Sequence, residues 1–259
     1  MPFVQLRGDR FRYELSGPEQ APVLVLSNSL ASALTMWEPQ VEPFSRRFRL
    51  LRYDQRGHGQ SAVTPGPYTT PLLAQDVLAL LDALKIERAH FLGLSMGGAA
   101  GMWLAVQAPG RIDRLILSNT AAKFGTPQVW GERMAAVRKG GMAAVATGTI
   151  ERWFTAGFRE RAPQAVEGIR QALLATDPAG FLACSEAIRD NDQQESIRAI
   201  RQPTLVIAGT HDLGTPPAAG RLVAERIPGA RYVELNAAHI SNVEAAAEFN
   251  QTVLDFLAG

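Results

Sequence analysis

The densest chemistry in the sequence is Gly93-Leu94-Ser95-Met96-Gly97, followed by Gly98. It stands where an apolar run, HFLGL, gives way to MGGAAGMWLAVQA, whose small and apolar residues suit a helix. A serine on a tight strand-to-helix turn projects its hydroxyl from a sheet edge, and glycines flank it because β-carbons would clash where the backbone reverses. The start of the helix also offers a free backbone N–H, that of Met96, to a developing oxyanion. The alternative is a structural tight turn without chemistry. A hydroxyl used as a nucleophile needs a base, and the base needs an orienting carboxylate.

Four histidines are available: His58, His90, His211 and His239. His90 opens the run that ends at Ser95, so it is expected to point away from the turn. His58 lies in Arg56-Gly57-His58-Gly59, a glycine-rich turn, and reads as a structural loop residue. His239 follows YVEL through Asn236-Ala237-Ala238, on a loop at the carboxyl end of a strand, which is the edge that carries Ser95. Asp212 follows TLVIAG at that edge and precedes Thr215-Pro216, where a helix is expected to begin. His211 is adjacent to Asp212, diverges from it in direction, and is expected to face solvent or a loop neighbour. The reading is Ser95 as nucleophile, His239 as general base and then acid, and Asp212 as the group that orients His239. Cys184 has no such turn around it and reads as a small buried hydrophobe.

These residues need a scaffold that brings distant segments to one edge. Short apolar runs closed by polar residues recur at PVLVLSN (22–28), FRLLRYD (48–54), HFLGLS (90–95) and RIDRLILSN (111–119), as expected for strands buried on both faces. A hairpin turning at Gly8-Asp9 is expected before them. Between the runs lie helical patterns, the clearest over residues 72–86, where Leu73, Val77, Leu80, Leu81 and Leu84 form one apolar stripe. The alternation predicts a mostly parallel α/β sheet flanked by helices. It stops at about Lys123, continues as Ala-, Gly- and Arg-rich helical sequence to Ser196, and resumes with TLVIAG (204–209), PPAAGRLVAERI (216–227), ARYVEL (230–235) and a last helix from about Val243 to Leu257. Residues 1–122 and 197–259 therefore read as one core. Residues 123–196 read as an inserted helical cap over the strand ends where ligands bind in open α/β folds.

Composition narrows the function. The 259 residues carry 26 Lys and Arg against 25 Asp and Glu, a net +1 that removes the electrostatic case for nucleic acid or an anionic membrane. One cysteine permits neither an internal disulfide nor a cysteine-based metal cage. No apolar run approaches the ~20 residues of a membrane span. The first residues, MPFVQLRGDRFRYEL, lack the continuous apolar stretch of a signal peptide, and the chain reads as cytoplasmic.

Taken together, the serine turn, the Asp212 loop, the late His239 and RYDQRGHGQS (52–61) resemble the α/β-hydrolase superfamily across nearly the whole chain. The order Ser, Asp, His is the order of that superfamily. More narrowly, LSNSLASALTMWEPQ (26–40), RYDQRGHGQSAVTPGPYT and ERWFT (151–155) are similar to the 3-oxoadipate enol-lactonases of aromatic catabolism. The resemblance implies an α/β-hydrolase fold with an oxyanion hole made of the Met96 N–H and a second N–H from residues 27–32. Leu30 takes that second position, with Ser29 and Ala31 as alternatives, because Asn28 replaces the histidine usual in this loop. It also implies opening of a five-membered enol-lactone with an acetate arm to give 3-oxoadipate, without metal or organic cofactor.

Such a substrate is small and anionic, and its carboxylate calls for an Arg or Lys. The cap offers Lys123, Arg133, Arg138, Lys139 and Arg152, with Trp130, Trp153 and Phe154 as apolar walls. Arg133 is preferred because it lies one turn from Trp130. Other readings are a general carboxylesterase, a carbon–carbon bond hydrolase or a perhydrolase on the same fold, or a ligand sensor with little turnover.

Overall fold

The strand-like runs form one eight-stranded sheet in the computed structural model, which describes residues 2–259. The strands are β1 (Phe3–Leu6), β2 (Asp9–Ser16), β3 (Val23–Ser27), β4 (Arg49–Tyr53), β5 (Ala89–Leu94), β6 (Ile112–Ser118), β7 (Thr204–Gly209) and β8 (Arg231–Leu235). Their order is β1-β2-β4-β3-β5-β6-β7-β8, antiparallel at β1, β2 and β4 and parallel from β4 onward. β5 and β7 are buried along their whole length, which is why they read as unbroken apolar runs. The first hairpin turns at Arg7 and Gly8, one residue earlier than expected. Leu6 pairs with Asp9, and both turn residues take positive φ, 53° and 93°.

The helices are α1 (Glu38–Ser45), α2 (Thr70–Ala83), α3 (Met96–Gln107), α4 (Pro127–Gly140), α5 (Ala143–Trp153), α6 (Ala156–Arg161), α7 (Pro163–Leu174), α8 (Pro178–Arg189), α9 (Pro217–Arg226), α10 (Ser241–Glu244) and α11 (Ala246–Ala258). The helix expected over 72–86 starts earlier, because the Thr69 hydroxyl accepts the Leu72 N–H at 3.2 Å. It ends before Lys85, whose φ of 56° breaks the helix. α1, with Pro43 in its interior, was not legible from periodicity. The last helix is two pieces, since Ala245 (φ −117°) separates α10 from α11. Among the described residues no helix is long and apolar enough to cross a membrane.

The five helices α4 to α8 fill the chain between β6 and β7. The chain leaves and rejoins the core at one point, where Lys123 and Asp192 form an isolated antiparallel bridge and an ion pair at 2.8 Å. Next to it the Gln193 N–H donates to the Ala122 carbonyl at 2.8 Å. From there the chain runs along α3 towards the start of β7. The Gln193 amide donates to the Ala99 carbonyl at 2.9 Å and the Gln202 amide to the Ala105 carbonyl at 3.2 Å.

Candidate active site

Ser95 links the end of β5 to α3 with φ 56° and ψ −112°, a conformation that costs energy in a residue with a Cβ. Two hydrogen bonds hold it there. The Ser95 N–H donates to the Ser118 carbonyl at 3.0 Å, and the Thr120 hydroxyl donates to the Ser95 carbonyl at 2.7 Å. The glycines are required by crowding. A Cβ on Gly93 would sit 2.3 Å from the Gly97 carbonyl oxygen, and one on Gly97 would sit 2.2 Å from that of Ser27.

His239 and Asp212 arrive from the loops after β8 and β7. His239 Nδ1 lies 2.8 Å from Asp212 Oδ2, which requires the proton on Nδ1 and leaves Nε2 as the free acceptor. Asp212 is 2% exposed, yet its carboxylate is well supplied with donors. Oδ2 also accepts the Thr215 hydroxyl at 2.7 Å and the Asn119 amide at 3.0 Å, and Oδ1 accepts the N–H groups of Gly214 and Thr215 at 2.8 and 3.0 Å. Burial alone would raise its pKa. Attraction to the His239 ring, a cation whenever it is protonated, and these hydrogen bonds outweigh burial, and the carboxyl is held below its ordinary range. Ser95 and His239 line one cleft without a direct hydrogen bond between their side chains. Catalytic contacts of this kind often tighten only when substrate is bound.

Residues 27–32 are locked in place. Asn28 is fully buried, donates to the Tyr53 carbonyl at 3.0 Å, accepts from the Trp37 indole at 2.8 Å, and receives the Gly97 N–H on its own carbonyl at 3.0 Å. The Ala31 N–H donates to His58 Nε2 at 2.8 Å, which removes Ala31 from the candidates for an oxyanion donor. Ala31 itself has φ 60°, so this bond holds a strained residue. Ser29 and Leu30 line the cleft, and among the described residues neither the Leu30 nor the Met96 N–H has a protein acceptor.

The other histidines lie elsewhere. His58 is buried, with Nδ1 3.2 Å from the Arg56 carbonyl, and burial pushes its pKa down to about 4. His90 packs edge-on against Phe48 and lies 3.5 Å from Asp113, and His211 bonds the Asn236 amide oxygen at 2.9 Å. Cys184 is fully buried, and burial raises its thiol pKa.

The cleft, about 470 Å³ including space open to solvent, is lined by Ser95 and His239 and by Phe124, Trp130, Arg133, Arg152 and Trp153 from the helical insertion and its approach. Trp153 lies parallel to the His239 ring at 6.4 Å between centroids. The Arg133 guanidinium rests on Trp130 and Phe181 at 5.4 and 5.2 Å and donates to the Thr149 hydroxyl at 3.2 Å. Its Nε is shielded from solvent without any acceptor. Burial, then the charge of Arg152, push its pKa down to about 10, which still leaves it a cation at neutral pH. Arg152 is exposed overall and reaches the same Thr149 hydroxyl at 3.4 Å. Lys123 is paired with Asp192, Arg138 and Lys139 are exposed away from the cleft, and Phe154 stacks on Phe158. Sequence reasoning did not single out Phe124 or Asn119. The one signal was position, since Asn119 directly follows the end of β6.

This arrangement places a strained serine, a carboxylate-bound imidazole, two N–H groups without acceptors and a cation without a counter-ion around one cleft. Comparison with known proteins gives the family of the chain. A profile of the family described as alpha/beta hydrolase fold matches residues 22–246. The chain is 41% identical over 241 residues to 3-oxoadipate enol-lactonase 2 of Acinetobacter baylyi, covering 93% of this chain and 90% of that one. It is similar to the crystal structure of the enol-lactonase from Burkholderia xenovorans, with TM-score 0.98, 48% identity and all of both chains covered. A thermophilic esterase from Thermogutta terrifontis has TM-score 0.92 at 28% identity, covering 100% of this chain and 98% of that one. The chain therefore belongs to the alpha/beta hydrolase fold family.

Proposed function

We propose that this hydrolase opens a small anionic enol-lactone, 3-oxoadipate enol-lactone, through an acyl-enzyme on Ser95. In this reading His239 Nε2 takes the Ser95 proton as Oγ attacks the lactone carbonyl, and the negative charge that develops on oxygen is received by the Met96 and Leu30 N–H groups. The carbonyl carbon–oxygen bond of the ring then breaks. The departing enolate, stabilised by its own conjugation, takes up the proton held on His239 Nε2 as it becomes a ketone, which returns His239 to its neutral form. Water, deprotonated by His239, attacks the acyl-enzyme and releases a product with a ketone and two carboxylates. Asp212 keeps the His239 proton on Nδ1 throughout, and the helical insertion serves as the cap that closes the cleft.

The observation that carries the choice of substrate is Arg133: a partly buried cation, stacked on Trp130 and Phe181, that meets no carboxylate among the described residues. A neutral ester leaves this cation unpaired, whereas the acetate arm of the lactone supplies its counter-ion. Arg152 stands at the rim, where its charge is worth less. The similarity to 3-oxoadipate enol-lactonases supports the same reading. The test is turnover by purified protein of the enol-lactone beside a neutral ester of equal size. The reading requires the lactone to be preferred by kcat/KM. A preference for the neutral ester would make the chain a general esterase, and no turnover of either would make it a binding protein.

A further inference from the structure

Glu244 is a buried carboxylate without a cationic partner among the described residues, at the end of α10 and five residues beyond His239. Its oxygens instead gather hydrogen-bond donors from two different parts of the molecule. From the histidine loop, the Ala238 N–H donates at 2.9 Å. From the junction between α5 and α6, the Thr155 N–H donates at 3.2 and 3.3 Å to the two oxygens, and the Thr155 hydroxyl donates to Oε1. Thr155 in turn caps α6, its hydroxyl oxygen accepting the Phe158 N–H at 3.3 Å. Beside these contacts the Ile240 N–H donates to the Trp153 carbonyl at 3.1 Å, and the Trp153 ring lies over His239.

A salt bridge would have neutralised this carboxylate more simply. Two backbone N–H groups and a hydroxyl do so only when the insertion and the histidine loop are both in place, because each side supplies part of the donor set. A buried carboxyl that loses one side loses part of its hydrogen-bond compensation, so the two segments hold or release together. We infer that Glu244 is a positioning residue that couples the helical insertion to His239, so that the base is aligned only when the segment 153–155 is seated. This rests on the reading of His239 as the base. Glu244 touches neither substrate nor reacting atoms. It acts through the backbone of the residue that precedes the histidine.

The variants are Thr155→Val, which removes one hydroxyl donor from the insertion side, Thr155→Ser, which keeps it, and Glu244→Gln, which turns one acceptor into a donor facing N–H groups. The readouts are kcat and KM on the preferred ester and the rate of Ser95 labelling by a neutral alkyl fluorophosphonate, which uses the serine and histidine but has no carboxylate for Arg133. Thr155→Val is expected to lower kcat and the labelling rate by roughly tenfold, about the loss of one hydrogen bond to a charged acceptor, with KM within about twofold. Thr155→Ser restores both rates, and Glu244→Gln is expected to lose roughly a hundredfold in each while still unfolding cooperatively in urea. Unchanged labelling in Thr155→Val alongside a lower urea midpoint would show a structural tether and overturn the inference. A change in KM alone would also overturn it. If wild-type protein is not labelled, or if Ser95→Ala is, it is the serine mechanism that fails.

Discussion

Acid should weaken this protein through His58, and the amount follows from its surroundings. His58 Nε2 accepts the Ala31 N–H and Nδ1 donates to the Arg56 carbonyl, so the folded state requires a neutral ring. Adding a proton sets N–H against N–H in a site that is 2% exposed, beside the Cys184 thiol and without a carboxylate to offset the charge. Burial lowers the folded pKa from 6.5 to about 4. Between those values the unfolded chain binds the proton and the folded one does not, so stability is intact above about 6.5 and falls as pH drops towards 4. Below that value both states are protonated and this group contributes no further loss. At roughly 1.4 kcal/mol per pH unit the full loss is about 3 kcal/mol, a large part of the stability of an ordinary domain. The check is urea unfolding of wild type and His58→Gln between about pH 7.5 and 4 at constant ionic strength. The glutamine variant should be the less stable of the two at neutral pH, and the gap should narrow by about 3 kcal/mol on acidification. Because His90, whose pKa burial also lowers, titrates in both proteins, it cancels from the difference. Parallel stability curves would refute the assignment of a neutral, buried His58.

Three further outcomes are expected. Ser95→Ala should remove hydrolysis by roughly four to six orders of magnitude without loss of fold, measured by kcat and a urea midpoint. His239→Ala should be nearly inactive while His211→Ala and His90→Ala keep at least about half the wild-type kcat/KM, since neither lies at the cleft; an inactive His211 variant would reverse the roles. Arg133→Ala should cost about 2–3 kcal/mol in kcat/KM on the anionic lactone and much less on a neutral ester, with Arg152→Ala milder on both.

The strands were legible because β5 and β7 are buried along their whole length and β3 and β6 along most of theirs, so apolar side chains predominate in them and the polar residues that follow mark where the chain turns. Ser95, Asp212 and His239 sit where such runs end, which is why position alone pointed to them and the structure brings Asp212 and His239 into contact. What could not be read is whatever depends on a partner far along the chain. The use of the Ala31 N–H rests on a ring 27 residues away, and Glu244 draws its donors from a segment 89 residues earlier. α1 was missed for a local reason, its proline and weak apolar stripe. The one-residue shift of the first hairpin reflects the positive φ of Arg7, for which an arginine gives no sign.

The closure of the helical insertion at Lys123 and Asp192 has an evolutionary corollary. Returning from the end of β6 to the start of the neighbouring parallel strand is a topological duty, and residues 193–203 discharge it alone by running along α3. The stretch between 123 and 192 is thus a closed excursion that the sheet does not need. Lengthening such an excursion costs little, about 0.6 kcal/mol in closure entropy for each doubling. It can be exchanged as a cassette that carries a new lining for the cleft, leaving Ser95, Asp212 and His239 where they stand. Selection for a different ester would then act on Trp130, Arg133, Arg152 and Trp153 as one inheritable unit. The tie at Glu244 and the bonds of α8 to Arg56 and Tyr68 are points that any replacement must reproduce.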